Sequence, residues 1–254
     1  AADQGDATAQ SNIGIMYSSG QGVAQDYFQA MSWYLKSADQ GYAAAQSDIG
    51  SLYQNGHGVP QDFLAAMDWY LKAAEQGNGR AQYNIGWLYE KGCGVLQNYS
   101  SAMGWYLKAA DQGDAPSQNN IGHLYEKGLG VPQDYSLAMH WYLKATDQGD
   151  ADAQSNIGVL YHDGHGVPQD YSQAMGWYQK AADQGDTTAQ YLVAWLYENG
   201  LGVSKDRTKA IEWYRKAIAV GDEDAEVCLN RLEQETNDSD RSEIQRGYFK
   251  GLFK

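Results

Sequence analysis

Residues 130–150 read GVPQDYSLAMHWYLKATDQGD, and residues 166–186 read GVPQDYSQAMGWYQKAADQGD, the same phrase moved along by 36 positions. Aligned on a recurrent Ala-Gln step, units begin at Ala9, Ala45, Ala81, Ser117, Ala153 and Ala189, and a partial seventh begins at Ala225. The spacing holds without an insertion or deletion. Six Trp-Tyr pairs keep the same step, from Trp33-Tyr34 to Trp213-Tyr214. A chain this regular is confined to folds in which one supersecondary unit stacks on the next, because a single short unit cannot bury its own apolar face.

Each unit divides into two helices. In the first unit Ala9, Ile13, Met16, Tyr17 and Gly20 fall on one face of a 3.6-residue period. Gly20 ends that helix, and a short loop through Gly22 and Val23 follows, with proline in three of its equivalents (Pro60, Pro132, Pro168). A recurrent acceptor then stands where a second helix needs its N-cap: Asp26, Asp62, Asn98, Asp134, Asp170 or Asp206. The second helix closes at Gly41, Gly77, Gly113, Gly149, Gly185 or Gly221. Ala30 and its five equivalents are small where two helices are expected to cross. Gly14, Gly50, Gly86, Gly122 and Gly158 suggest the same for the first helix, and Ala194 departs from that series.

The unit AQYNIGWLYEKGCGVLQNYSSAMGWYLKAADQGD and its equivalents resemble the Sel-one-like repeat family, relatives of the tetratricopeptide repeats. The Gly-x-Gly-Val loop, the Ala-Met-x-Trp-Tyr segment and the Lys-Ala-Ala-x-Gln-Gly close carry the resemblance over residues 1 to 236. It implies an all-α fold, a right-handed superhelical solenoid of helix-turn-helix repeats whose first helices line the concave side. It also implies scaffold or adaptor work between proteins. The domain reading that follows is a remnant of a preceding repeat at 1–8 and six repeats over 9–224. A capping helix at 225–236 keeps Ala225, Cys228, Leu229 and Leu232 on one side, and a tail at 237–254, flexible or docked on a groove, ends the chain.

With constant positions assigned to packing, the variable positions 11, 12, 15, 18 and 19 of each first helix form a stripe opposite the core face. Its candidate partner-binding residues are Tyr83, Asn84, Trp87, Glu90, Asn120, His123, Glu126, Asn156, Tyr191, Trp195 and Glu198. Aromatic residues facing a groove are what peptide sites use as anchors. Asparagines in related tetratricopeptide grooves grip the backbone of an extended ligand. Two alternatives stand beside these readings: Trp87 and Trp195 fill space between neighbouring first helices, and the asparagines cap or bridge helices.

A net charge of -14 argues against a nucleic-acid backbone as partner. No apolar run reaches membrane-spanning length, and residues 1–10 lack the pattern of a signal peptide. The charge is uneven: residues 1–236 carry 14 basic and 29 acidic side chains, whereas 237–254 carry 4 and 3. The tail mixes Arg246, Tyr248, Phe249, Lys250 and Phe253, which suggests that it docks on an acidic groove of its own or a neighbouring chain. Cys93 and Cys228, separated by several stacked helices at roughly 8–10 Å each, are expected as free thiols, which favours a reducing compartment.

The remaining signals carry less. His162, Asp163 and His165 lie close in sequence but fall short of the three or four convergent ligands a metal needs. Asn98 and Asn237 fit a glycosylation acceptor pattern, and Asn98 already has a capping role. No nucleophile-base set is assignable, and the cysteine pair per repeat that marks the family's cysteine-rich β-lactamase relatives is missing. The sequence therefore points to a scaffold without cofactor, metal or catalysis, holding a basic or neutral protein segment with an apolar anchor. Self-association through the tail or an uncapped end is the alternative, and hydrolysis the least supported.

Overall fold

In the computed structural model the described residues are 2 and 5–234. They fold as helices joined by short loops, with no strand among them. The repeats pair α1 (Ala7–Ser19) with α2 (Tyr27–Ala38), α3 (Ala43–Asn55) with α4 (Phe63–Glu75), and α5 (Gly79–Lys91) with α6 (Tyr99–Ala110). They continue with α7 (Ala115–Lys127) and α8 (Tyr135–Thr146), α9 (Ala151–Asp163) and α10 (Tyr171–Asp183), and α11 (Thr187–Asn199) and α12 (Arg207–Ala219). A thirteenth helix, α13, covers residues 223–234. Contacts divide the chain into two compact units, residues 1–141 and 142–254, with the division inside α8.

Helix boundaries follow from local chemistry. Every second-helix N-cap foreseen from sequence acts as one: Asp62 Oδ1, for instance, accepts from the backbone N–H of Leu64 and Ala65, each at 3.0 Å. The first helices are capped too, by the Asp or Asn that ends the preceding phrase. Asp6, Asn78, Asp114, Asp150 and Asp186 each accept from the third residue beyond, whereas Tyr42, at the start of α3, provides no side-chain cap. Proline is excluded from all these helices except at Pro116, in the first turn of α7, where its missing N–H costs nothing.

In each unit the core lies between successive helices, and its clusters join one repeat's second helix to the next repeat's first. In the first unit Ala66, Met67, Tyr70 and Ala73 of α4 pack with Ala81, Ile85 and Leu88 of α5. The second unit repeats this between α10 and α11. The Trp-Tyr pair divides its work in a way the sequence did not separate. Each tyrosine is 3% exposed or less, while the tryptophans are partly buried and lie against the neighbouring cluster, as Trp105 does against that of α4 and α5. A lysine three residues on covers the outer ring face, with Nζ 3.7 Å from the Trp105 ring centre for Lys108 and 3.5 Å from Trp213 for Lys216.

The glycines of the first helices hold room for those tyrosines. A Cβ at Gly86 would lie 2.7 Å from Tyr106 ring carbons, and one at Gly50 2.6 Å from Tyr70. The second loop glycine does a different job. Gly58 has φ +71°, and a Cβ there would lie 2.8 Å from Tyr27 Cβ at the start of the previous repeat's second helix. The loop is thus pressed onto its neighbour. At the far end of the second unit, α13 packs Ala225, Leu232, Cys228 and Leu229 against Ala194, Ala210, Tyr214 and Ala217.

Candidate functional site

Exposure along the first helices separates the variable stripe into a floor and a rim. Position 11 is floor: Ser47 and Ser11 are buried, as is Asn119, and Tyr83 and Tyr191 are only partly exposed. Tyr83 tilts against Tyr106 with ring centres 5.8 Å apart, and Tyr191 lies against Tyr214 at 5.7 Å with its hydroxyl 3.9 Å from Cys228 Sγ. Both tyrosines thus support the second-helix tyrosine beneath them.

Position 18 is also committed inward, in a role that sequence reasoning missed. Glu90 is buried, and its Oε2 accepts from the Tyr106 hydroxyl at 2.7 Å; Glu198 Oε2 accepts from Tyr214 at the same distance. Gln54 accepts from Tyr70 at 2.8 Å, and Tyr34 bonds Ser18 at 3.1 Å. Each is a tie from a first helix to the second helix of its own hairpin, sixteen residues on. The sequence signal was present: position 18 is polar in every repeat while the tyrosine sixteen residues later never changes. Glu126, at the same position, is also buried and pairs with Lys127. In repeat five His162 takes this place. Its Nδ1 lies 2.6 Å from Asp163, its ring meets Trp195 edge-on at 5.5 Å, and its Nε2 is buried with no hydrogen-bond partner among the described residues.

Burial moves the phenols accordingly. Tyr34 is pushed up to about 12, and Tyr70, Tyr106, Tyr178 and Tyr214 are raised further, with burial the main cause and a carboxylate partner adding to it at Tyr106 and Tyr214. These hydroxyls remain protonated donors at any ordinary pH.

The rim is positions 12, 15 and 19. In the first unit it presents Asn84, Trp87, Asn120 and His123, all partly exposed. Trp87 rests one side against the cluster of α4 and α5, and Asn120 also reaches the Tyr106 hydroxyl. In the second unit Asn156 and Trp195 take the corresponding places, Trp195 packed against the cluster of α10 and α11. The two tryptophans therefore fill space and keep an accessible edge. The structure joins the candidate residues of each unit along its first helices but withdraws the glutamates from the surface.

Arg246, Tyr248, Phe249, Lys250 and Phe253 of the expected docking tail lie outside the described residues. Cys93 and Cys228 are free thiols, and among the described residues no three of His, Cys, Asp and Glu are grouped to hold a metal ion. No described helix is long and apolar enough to cross a membrane.

A family model described as Sel1 repeat matches residues 7–42, 43–78, 79–114, 115–150, 151–186 and 187–222. Its frame starts where α1 starts, two residues ahead of the Ala-Gln step. Comparison with curated proteins finds no match. Among solved structures, a protective antigen present in uropathogenic Escherichia coli strains, displaying an SLR fold, is 36% identical with a TM-score of 0.75. The match covers 92% of this chain and 50% of the antigen, so this chain spans half the length of that relative. A Sel1 repeat protein from Oxalobacter formigenes is also 36% identical, with a TM-score of 0.81 over 85% of this chain and 89% of that one. An immunity protein from Pseudomonas aeruginosa, 20% identical with a TM-score of 0.57 over 84% of this chain and 81% of its own, shares the fold alone.

Proposed function

We propose, on the premise that this chain belongs to the Sel1 repeat family, that it is a scaffold that holds an extended segment of a partner protein along the first-helix rim. Sel1 repeat proteins are generally protein-interaction scaffolds, and the family is typically non-enzymatic. The observation carrying the finer reading is the split within the variable stripe. Positions 11 and 18 are spent on internal support, while positions 12, 15 and 19 keep contact with solvent, and position 15 changes along the chain from Ile15 and Ser51 to Trp87, His123, Val159 and Trp195. A surface free to vary on a rigid, repeated support suits recognition of one particular partner.

Within the first unit, the Trp87 edge would take an apolar side chain, and the Asn84 and Asn120 amides would bond the partner's backbone. Asn156 and Trp195 would do the same in the second. The glutamates Glu90, Glu126 and Glu198 serve indirectly, by fixing the helices that carry the rim. A partner segment that is basic or neutral fits the excess of acidic side chains. Self-association through residues 237–254 is a separate reading, and sedimentation across a range of concentrations tests it.

Peptides selected from a display library against the full chain provide the test. Asn84→Ala combined with Trp87→Phe is expected to weaken the selected peptides about tenfold or more, with the thermal midpoint held within a few degrees. Equal loss on changing Gln29, exposed on the second helix α2 of the same unit, would remove the reading.

A further inference from the structure

The variable stripe changes character in the first two repeats. Where repeat three has Trp87 and Glu90, repeat two has Ser51 at position 15, and repeat one has Ser18 at position 18. The volume given up by these small side chains stays open as a cavity of about 240 Å3 within the first unit. That is smaller than the pockets of roughly 300 Å3 and upward that hold drug-sized ligands, and suits one side chain.

Its polar groups are one-sided. Asp48 pairs with Arg80 through Oδ1, and its Oδ2 receives no hydrogen bond from the described residues. Asn55 donates its amide to Ser51, at 2.8 Å to the backbone oxygen, which leaves Oδ1 as an open acceptor. Ser18 spends its proton on the Ile15 carbonyl at 3.0 Å, so the Tyr34 hydroxyl donates to Ser18 and keeps its own lone pairs. Three acceptors thus border one cavity, and its wall is aromatic. The Tyr27 and His57 rings stack there with centres 4.4 Å apart and planes 18° from parallel.

From this arrangement we infer that the cavity is a recognition pocket for an arginine side chain of the partner protein. Guanidinium is a planar, donor-only cation that forks onto carboxylate and amide oxygens and stacks on aromatic faces. The pocket provides both kinds of surface, and Leu52 lines it where an apolar stem would pass. Lysine would bring a point charge without the stacking plane. Asp48 is prepared for a second cation: burial raises its carboxyl above the usual value even with Arg80 beside it, and the Arg80 side chain is itself 55% exposed. The inference rests on the scaffold reading and extends it to the first two repeats.

The test titrates the full chain with blocked arginine (N-acetyl-arginine methylamide), followed by amide and histidine-ring NMR, with the matched citrulline and lysine compounds as controls. Saturable shifts at Ser51, Asn55 and His57 are expected for arginine in the millimolar range, with citrulline weaker by at least tenfold. Ser51→Trp, which restores the residue type of repeat three, is expected to abolish them. Equal shifts from citrulline, or arginine shifts that never saturate and spread over exposed carboxylates, would overturn the pocket on the unaltered chain alone. If peptides selected on the Asn84–Trp87 rim bind while arginine does not, the pocket fails and the scaffold reading stands. Saturation of the pocket with no peptide bound at the rim would support the pocket and reject that reading.

Discussion

A single glutamine shows how closely each side chain is tied to its place in the repeat. The Gln of the Ala-Gln step is buried, and its Oε1 accepts from the Gln thirty residues on: Gln40 bonds Gln10, Gln76 bonds Gln46 and Gln112 bonds Gln82, each at 2.8 Å. Gln184 bonds Gln154 at 2.9 Å. In the last repeat the donor position is Val220, and Gln190 Oε1 is left buried without a partner. An unsatisfied buried acceptor costs free energy that its partner would recover, and Val220 is 53% exposed, so little apolar burial is lost by replacing it. Val220→Gln is expected to stabilise the chain by about 0.5–1.5 kcal/mol. Urea unfolding would check it, a lowered midpoint being the contrary result. The pattern of glutamines was readable from sequence. That Val220 leaves an orphan was not, because nothing in a repeat period says which polar atoms meet.

Among the elements, capping and helix facing were the most legible features. Asp62 serves two backbone donors with one oxygen, and Asp62→Ala is expected to cost about 1 kcal/mol. Asp62→Asn should restore most of it, since Asn98 caps α6 by accepting from Ser101 at 3.0 Å. Thermal unfolding of the two variants separates a capping role from a merely electrostatic one, in which Asn would fail as badly as Ala. The variable stripe was less legible. Helical period gives the direction in which Glu90 and Trp87 leave α5, but both directions are compatible with solvent until the second helix is in place. The tyrosine sixteen residues on decides the matter for Glu90 by offering a hydroxyl that needs an acceptor.

At the scale of the whole molecule, the raised tyrosines Tyr34, Tyr70, Tyr106, Tyr178, Tyr191 and Tyr214 make stability depend on alkali. Unfolded phenols ionise at about pH 10. Folded, Tyr34 holds its proton to about 12, and Tyr70, Tyr106, Tyr178 and Tyr214 hold theirs longer. Between these values the folded chain binds more protons than the unfolded one, so unfolding becomes easier as pH rises. The contribution is complete below about pH 10 and is lost above it. Tyrosinate absorbance and helical signal are expected to change together above that point, in one step for the buried class. Ionisation of that class near pH 10 with helicity intact would contradict it. The sequence by itself determined the period, the helix pairs, their caps and the family, because these depend on residue spacing and on local backbone chemistry within a single repeat. Only the tertiary structure decided which variable positions became floor and which became rim, and where Ser18 and Ser51 leave an open pocket. Those outcomes depend on contacts between side chains sixteen to thirty-six residues apart, whose geometry exists only after neighbouring helices have docked.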